Sequence, residues 1–272
     1  RTSTSGYDRD DHYEQAMKSM MESPEPASAR HTFRPVRYTG NWFPVKQPWH
    51  VLDAMQYFLA SIGRSIVEPQ IRSQEIEEGA GIIGPVIVEK GARVLRGADI
   101  RGPVYIGENS VVEGASIVGP VWIEKGVRVY RGADIRGRTY IGENTLIGQY
   151  THIRESMVSS HCEIGIGSEV SRSYIGKWAK LHSSKALDSV LADGSEKRPV
   201  NLAAGSITAN LRLSYKNVVS SVKGKQEDTG RPKFGSVIGA GAFIGINASL
   251  MPGVKIGEDS VVGAGTVVLK DV

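Results

Sequence analysis

The chain has 272 residues, 40% of them apolar, a formal net charge of +4 and one cysteine. That size allows one large core or two domains, and the lone Cys162 excludes an intrachain disulfide and fits a reducing, cytoplasmic setting. No apolar run approaches the ~18 residues of a membrane span, and the mild charge lacks the dense basic stripe of a nucleic-acid binder, so small anionic molecules are the expected partners rather than nucleic acid or membrane.

At the N-terminus, Ala16, Met17, Met20 and Met21 recur at helical spacing behind Asp10 and Asp11, either of which can cap a helix. A Pro-rich loop over residues 23–30 precedes a short strand over 32–38, which Pro35 confines to a sheet edge. Pro48 opens a second helix over residues 49–62, with Val51, Leu52, Met55, Phe58, Leu59 and Ile62 on one apolar face. Such a helix is expected to act as a lid over an exposed end of stacked strands.

From residue 81 a different rhythm takes over. Residues 86–120 and 121–155 match almost letter for letter at an offset of about 35. Aliphatic residues recur about every sixth position, at Val88, Val94, Ile100, Ile106, Ile123, Val129, Ile135, Ile141, Ile147 and Ile153. Three strand-turn hexads make one triangular coil, and coils stack at the inter-strand spacing of ~4.8 Å with the aliphatic residues pointing inward. The offset reads as two coils of about 18 with one residue dropped, placed between Ile106 and Val111. Ile238, Ile244, Leu250, Ile256, Val262 and Val268 resume the pattern near the C-terminus. The rhythm breaks between the two runs, with a polar insertion at residues 193–199 and an excursion over 211–234 that carries Lys216, Lys223, Lys225, Arg231 and Lys233. Function is expected at such breaks.

The hexads ending in GAGTVVLKDV resemble the hexapeptide-repeat acyltransferases. LAAGSITANLR at 202–212, SVKGKQEDTGRPKFGSVIG at 221–239 and GINASLMPGVKIG at 245–257 narrow the resemblance. They are similar to the archaeal bifunctional sugar-1-phosphate nucleotidylyltransferase/amino-sugar-1-phosphate acetyltransferases, which relate to the bacterial N-acetylglucosamine-1-phosphate uridyltransferase. The resemblance implies a mainly β fold, a left-handed parallel β-helix over residues 82–272. Residues 1–81 would then be the closing α+β segment of a nucleotidylyltransferase domain, with the rest of that domain expected upstream. It is the resemblance that supplies the left hand, since periodicity cannot choose it.

The resemblance also implies acetyl transfer from acetyl-CoA to an amino-sugar 1-phosphate in a homotrimer, with the acyl site between neighbouring subunits. His182 matches the family's histidine and would be the base. Asn201 and Asn210 match positions that bind the amino sugar, although asparagine is also the default corner residue of such coils. Lys216 matches a lysine on the sugar phosphate, and Lys185 replaces the family's phosphate-binding tyrosine. For CoA, Ala203 and Gly205 would let the backbone approach, and Lys223, Lys225, Arg231 and Lys233 would meet its phosphates, a solvated loop being the alternative for the cations. Phe43 and Pro44 stand where many members carry a metal-binding aspartate, and the glycine-rich nucleotide loop is not in this sequence. Mg²⁺ and nucleotide transfer are therefore expected only of an upstream domain.

Other signals point to structure. The separations of His152, His161 and His182 do not match the histidine pair of the zinc-dependent carbonic anhydrases of this fold, so no metal is expected. Arg96, Asp99 and Arg101 with their copies Arg131, Asp134 and Arg136 are expected to form charge ladders two coils apart. Lys185 in place of tyrosine and the insertion at 193–199 also fit a second role, a non-catalytic trimerisation or regulatory module for a nucleotidylyltransferase.

Overall fold

The computed structural model describes residues 15, 18, 19, 22, 37–40 and 42–272. The helix expected near residues 11–23 and the strand over 32–38 fall, apart from isolated positions, outside the described residues. Two compact units divide at 43/44, and the second, residues 44–272, holds the helix and all the coils.

Three ten-stranded parallel sheets form the three faces of a left-handed β-helix. Coil 1 comprises Gln70–Ile71 on face 1, Glu75–Ile76 on face 2 and Gly81–Ile83 on face 3. The expected domain boundary at 81/82 thus falls inside the first coil. Nine more coils follow in order, and coil 8 runs through Val190–Leu191, Val200–Leu202 and Ile207–Thr208.

All ten of the aliphatic residues picked out between Val88 and Ile153 are buried to 1% exposure or less. One detail of the register differs from expectation. Val112, not Val111, points inward after Ile106, so the dropped residue lies between Val112 and Ile117. Two adjacent valines are equivalent to a periodicity reading, and only the pairing of Val94 with Val112 decides between them.

Coil length varies along the axis. Face 1 takes eighteen residues from Val88 to Ile106, seventeen from Ile141 to Val158 and sixteen from Ile175 to Leu191. Five-residue steps at Ile153→Val158, Val170→Ile175 and Ala186→Leu191 all fall on the edge between faces 3 and 1. A serine spine lines that edge. The hydroxyls of Ser156, Ser173 and Ser189 accept the main-chain N–H of Ser173, Ser189 and Ser236 at 3.0–3.1 Å. Small hydroxyl residues let the corner tighten while its buried N–H groups stay paired.

The second helix runs His50–Leu59 and buries Leu52, Met55 and Leu59. It is not a lid on an open end. It lies along the outside of face 1, whose outward row reads Tyr105, Trp122, Tyr140, Met157, Tyr174, Val190 and Val237. An outer row this apolar needs a cover, and a ten-residue helix of ~15 Å spans about three coils. The excursion completes the cover. Its hairpin, Val219–Val222 with Lys225–Asp228, turns through Lys223 and Gly224 at φ 49° and 79°. Phe234 is fully buried against Trp49, with ring centroids 6.1 Å apart.

Replacing Ile135, fully buried, with Ala should cost about 2–5 kcal/mol in denaturant unfolding, whereas Ile83→Ala, at 61% exposure, should fall within ~0.5 kcal/mol of the parent. Equal effects would contradict the inward register.

Candidate functional site

His182 sits at the edge between faces 2 and 3 in coil 7, directly after the inward Leu181, and donates its main-chain N–H to Leu202 at 2.9 Å. The hydrogen bonds between coils put Gly148 and Gly165 before it in the same row, and Ala203, Gly245 and Gly263 after it. Coil stacking dictates several of these small residues, because a Cβ on Gly148, Gly165 or Gly245 would meet neighbouring backbone at 2.7–2.8 Å. The consequence for His182 is a row with no side chain larger than a methyl on either side, although exposed Ile166 and Ile246 stand one residue farther round the same corner. Among the described residues its imidazole, half-buried, has no hydrogen-bond or ionic partner.

Ala203 stacks on His182, and Gly205 donates its N–H to the Ser183 carbonyl at 3.0 Å. Gly205 is required by the turn itself, since it has φ +73° and a Cβ there would run into the Asn247 side chain. Asn201 is 9% exposed in its strand on face 2, between Lys180 and Phe243. Neither Asn201 nor Asn210 is a left-handed corner; Asn109, Asn144 and Asn247 take that role.

Lys185 opens the face 3 strand of coil 7, and its ammonium lies 3.3 Å from Glu169 one coil earlier. Farther along the same face is an open groove of about 570 Å³ lined by Asp134, Arg136, His152, Arg154, Glu169 and Ser171. Asp134 pairs with Arg136 at 2.6 Å within its own strand and with His152 at 3.3 Å across one coil. Arg101 and Asp99 repeat the within-strand pair at 3.0 Å, so the charges expected to form ladders close within each strand instead. The hydrogen bond to Asp134 raises the Arg136 pKa above its ordinary value. Arg154 donates Nε–H to the Ser171 hydroxyl at 3.0 Å.

At the edge between faces 3 and 1, Asp188 is buried and accepts two hydrogen bonds from Arg172, at 2.6 and 2.7 Å, and one from Asn210 at 2.5 Å. Lys216 follows in an exposed loop, with Leu213 and Tyr215 also open to solvent.

The remaining cations part from this group. Lys223 and Lys225 lie at the tip of a hairpin folded back over face 1, and Lys233 pairs its main chain with Leu211. Arg231 is committed to Asp53 of the helix, which makes it a clasp between helix and excursion. A single chain does not bring these four residues to His182. The excursion itself packs onto its own coils through Val218, Val222 and Phe234.

Sequence reasoning missed Arg154, Glu169, Arg172 and Asp188. Arg136, Arg154 and Arg172 recur every eighteen residues, which is legible in the sequence. The seventeen-residue coil 6 then moves Arg172 off face 3 onto its edge, which is not.

A model of the bacterial transferase hexapeptide (six repeats) matches residues 235–270. Over 252 residues the chain is 32% identical to a bifunctional sugar-1-phosphate nucleotidylyltransferase/acetyltransferase of Sulfurisphaera tokodaii, covering 89% of this chain and 50% of that protein. It is 34% identical over 239 residues to the bifunctional protein GlmU of Methanocaldococcus jannaschii, covering 87% and 47%. A crystal structure of UDP-N-acetylglucosamine acyltransferase aligns at 17% identity with a TM-score of 0.36, covering 73% of this chain and 68% of that one, a likeness too slight to bear on function. The protein is a hexapeptide-repeat β-helix. It is related along most of its length to the bifunctional sugar-1-phosphate nucleotidylyltransferase/acetyltransferases, and it spans about half the length of the curated relatives it matches.

Among the described residues no group of three His, Cys, Asp or Glu side chains is placed to hold a metal, and no helix is long and apolar enough to cross a membrane. His161 stacks on Trp178 with ring centroids 4.4 Å apart, well separated in role from His152 on face 3.

Cys162 is buried, its thiol 3.1 Å from the Gly176 carbonyl, and burial pushes its pKa from 9.0 up to about 12. Only roughly one native molecule in 10⁴ carries the thiolate at pH 8, so labelling by Ellman's reagent should be slow until denaturant is added. The folded state holds this proton more tightly than the unfolded chain. The stability it contributes is therefore complete below pH 9 and is lost as pH rises towards 12. Fast native labelling at pH 8 would contradict this burial.

Proposed function

We propose that the protein is an acetyl-CoA-dependent N-acetyltransferase acting on an amino-sugar 1-phosphate. The observation that carries this reading is His182, an unpartnered imidazole in a row of small residues on a coil edge, at the point where the repeat breaks. The names of the relatives, which cover most of this chain, support it.

Acetyl-CoA supplies the electrophilic thioester carbonyl. His182 accepts one proton from the substrate ammonium, the freed nitrogen pair forms the amide bond as the bond to sulfur breaks, and the second proton lost by the nitrogen passes to the sulfur, so that CoA leaves as its thiol. Arg136, Arg154 and Lys185 along face 3 hold the sugar phosphate, with Lys216 at its far end. Asn201 and Asn210 bind the amino sugar. Bare backbone at Ala203 and Gly205 lets CoA lie along the edge beside His182.

His182 and Asn210 occupy different edges of face 3, and the six residues from His182 to Asp188 place those edges up to about 20 Å apart along a strand direction. A second copy of the chain, packed edge to edge, would bring one subunit's His182 towards another's Asn210. The exposed Leu213, Phe243 and Val261 near coils 8–10 are suited to that contact. A homotrimer is the proposed assembly, and Lys223, Lys225 and Lys233 then serve CoA only across such a boundary.

A second reading, a non-catalytic trimerisation module, is favoured by Lys185, whose ammonium is taken up by Glu169 where the family has a tyrosine.

Wild-type protein mixed with acetyl-CoA and glucosamine 1-phosphate should release free thiol. His182→Ala should lower kcat by about 10²–10⁴ with the melting temperature unchanged. No thiol release by the folded wild type would overturn the enzyme reading, and calorimetry showing no CoA binding would then leave the trimerisation module.

A further inference from the structure

Asn210 and Asp188 meet in a buried polar knot whose polarity has a consequence for the ligand. The Asp188 carboxylate is 3% exposed. Oδ1 accepts from Nε of Arg172 at 2.6 Å, and Oδ2 accepts from Nη2 of Arg172 at 2.7 Å and from Nδ2 of Asn210 at 2.5 Å. The two ends of an asparagine amide are nearly the same shape and opposite in hydrogen-bonding character. A carboxylate only accepts, so it captures the NH₂ end and leaves Oδ1 of Asn210 on the other side of the amide. The hydrogen bonds to Asp188 raise the pKa of Arg172.

The carboxylate is not needed to fasten the excursion that begins here. Main-chain bonds already tie down its two ends, Phe234 N–H to Asn210 C=O at 3.0 Å and Gly235 N–H to Asp188 C=O at 2.8 Å. Both Arg172 and Asp188 also sit at left-handed φ, 48° and 47°, where Gly137 serves two coils before Arg172. A charged pair held in a backbone region that disfavours side chains costs stability at a place where glycine is available.

We infer that Asp188 is a positioning residue that sets the polarity of Asn210, so that the edge between faces 3 and 1 presents a fixed hydrogen-bond acceptor to the amino group of its ligand. This rests on the reading of Asn210 as a substrate-binding residue. A positively charged amine donates a charge-assisted hydrogen bond to Oδ1, about twice as strong as that from a neutral hydroxyl. The site therefore selects an amino sugar phosphate over its hydroxyl counterpart.

The test is by NMR on the ¹⁵N-labelled full chain, with the Asn210 side-chain amide assigned through Asn210→Ser. In the wild type its NH₂ resonances should be deshielded and slow to exchange, and Asp188→Asn, checked for an unchanged melting temperature, should shift them. Titration with glucosamine 1-phosphate and glucose 1-phosphate should move the Asn210 signal and show about tenfold tighter binding of the amine, a preference that Asp188→Asn abolishes. An Asn210 amide that exchanges like an exposed one overturns the clamp without any variant. Equal binding of the two sugars by the wild type, or a preference that survives in folded Asp188→Asn, overturns the positioning role. Thiol release is a separate readout, so a protein that binds the amine selectively and transfers no acetyl group fails only as an enzyme.

Discussion

Every coil of this protein must return the chain to the same three faces one strand spacing farther along the axis. Parallel pairing fixes this, because each inward side chain stacks on the one a coil below and each main-chain N–H meets the carbonyl beneath it. The faces leave no freedom, and only the edges can gain or lose residues. The edge between faces 3 and 1 loses one in coils 5, 6 and 7, where the Ser156, Ser173 and Ser189 hydroxyls take up the N–H groups of the tightened corner. In coil 8 the inward residue of that neighbourhood becomes Thr208, whose Oγ1 lies 2.9 Å from the Ser189 hydroxyl. The coils thus become tight and polar inside where the chain grows its two outward elaborations, at residues 193–199 and 211–234.

The inward hexad residues were legible in the sequence because an aliphatic residue every sixth position has no other economical use. The slip between Val111 and Val112 was not, since both are apolar and only pairing between coils tells them apart. The helix His50–Leu59 announced an apolar face but not what would bury it. The missing signal lay in residues 105–174, where Tyr105, Trp122, Tyr140 and Tyr174 alternate with inward aliphatics; a solvated outer face would not carry such a row. Burial of that row also pushes the Tyr140 hydroxyl up to about 12, helped by Glu124 at 3.2 Å.

For the candidate site, the sequence suggested a region and the resemblance suggested residues, but neither revealed how those residues divide among the faces and edges. His182, Ala203 and Gly205 share one edge, Asn201 lies beside it on face 2, Lys185 joins a charged groove on face 3, and Asn210 stands on the next edge with Asp188 and Arg172. The cations of the excursion went elsewhere, because the hairpin that carries them is needed to cover face 1. A loop rich in lysine reads the same whether it binds a phosphate or shields an aromatic row. Arg231 beside Asp53 shows which demand prevailed.

We propose that acyl transfer takes place on the edge at His182, with the acceptor's phosphate along face 3. A crystal structure of the protein with CoA and glucosamine 1-phosphate tests it most directly. The account predicts the CoA thiol end beside the His182 imidazole and the phosphate near Arg154 and Lys185. CoA lying over the hairpin on face 1, with its thiol remote from every copy's His182, would contradict it.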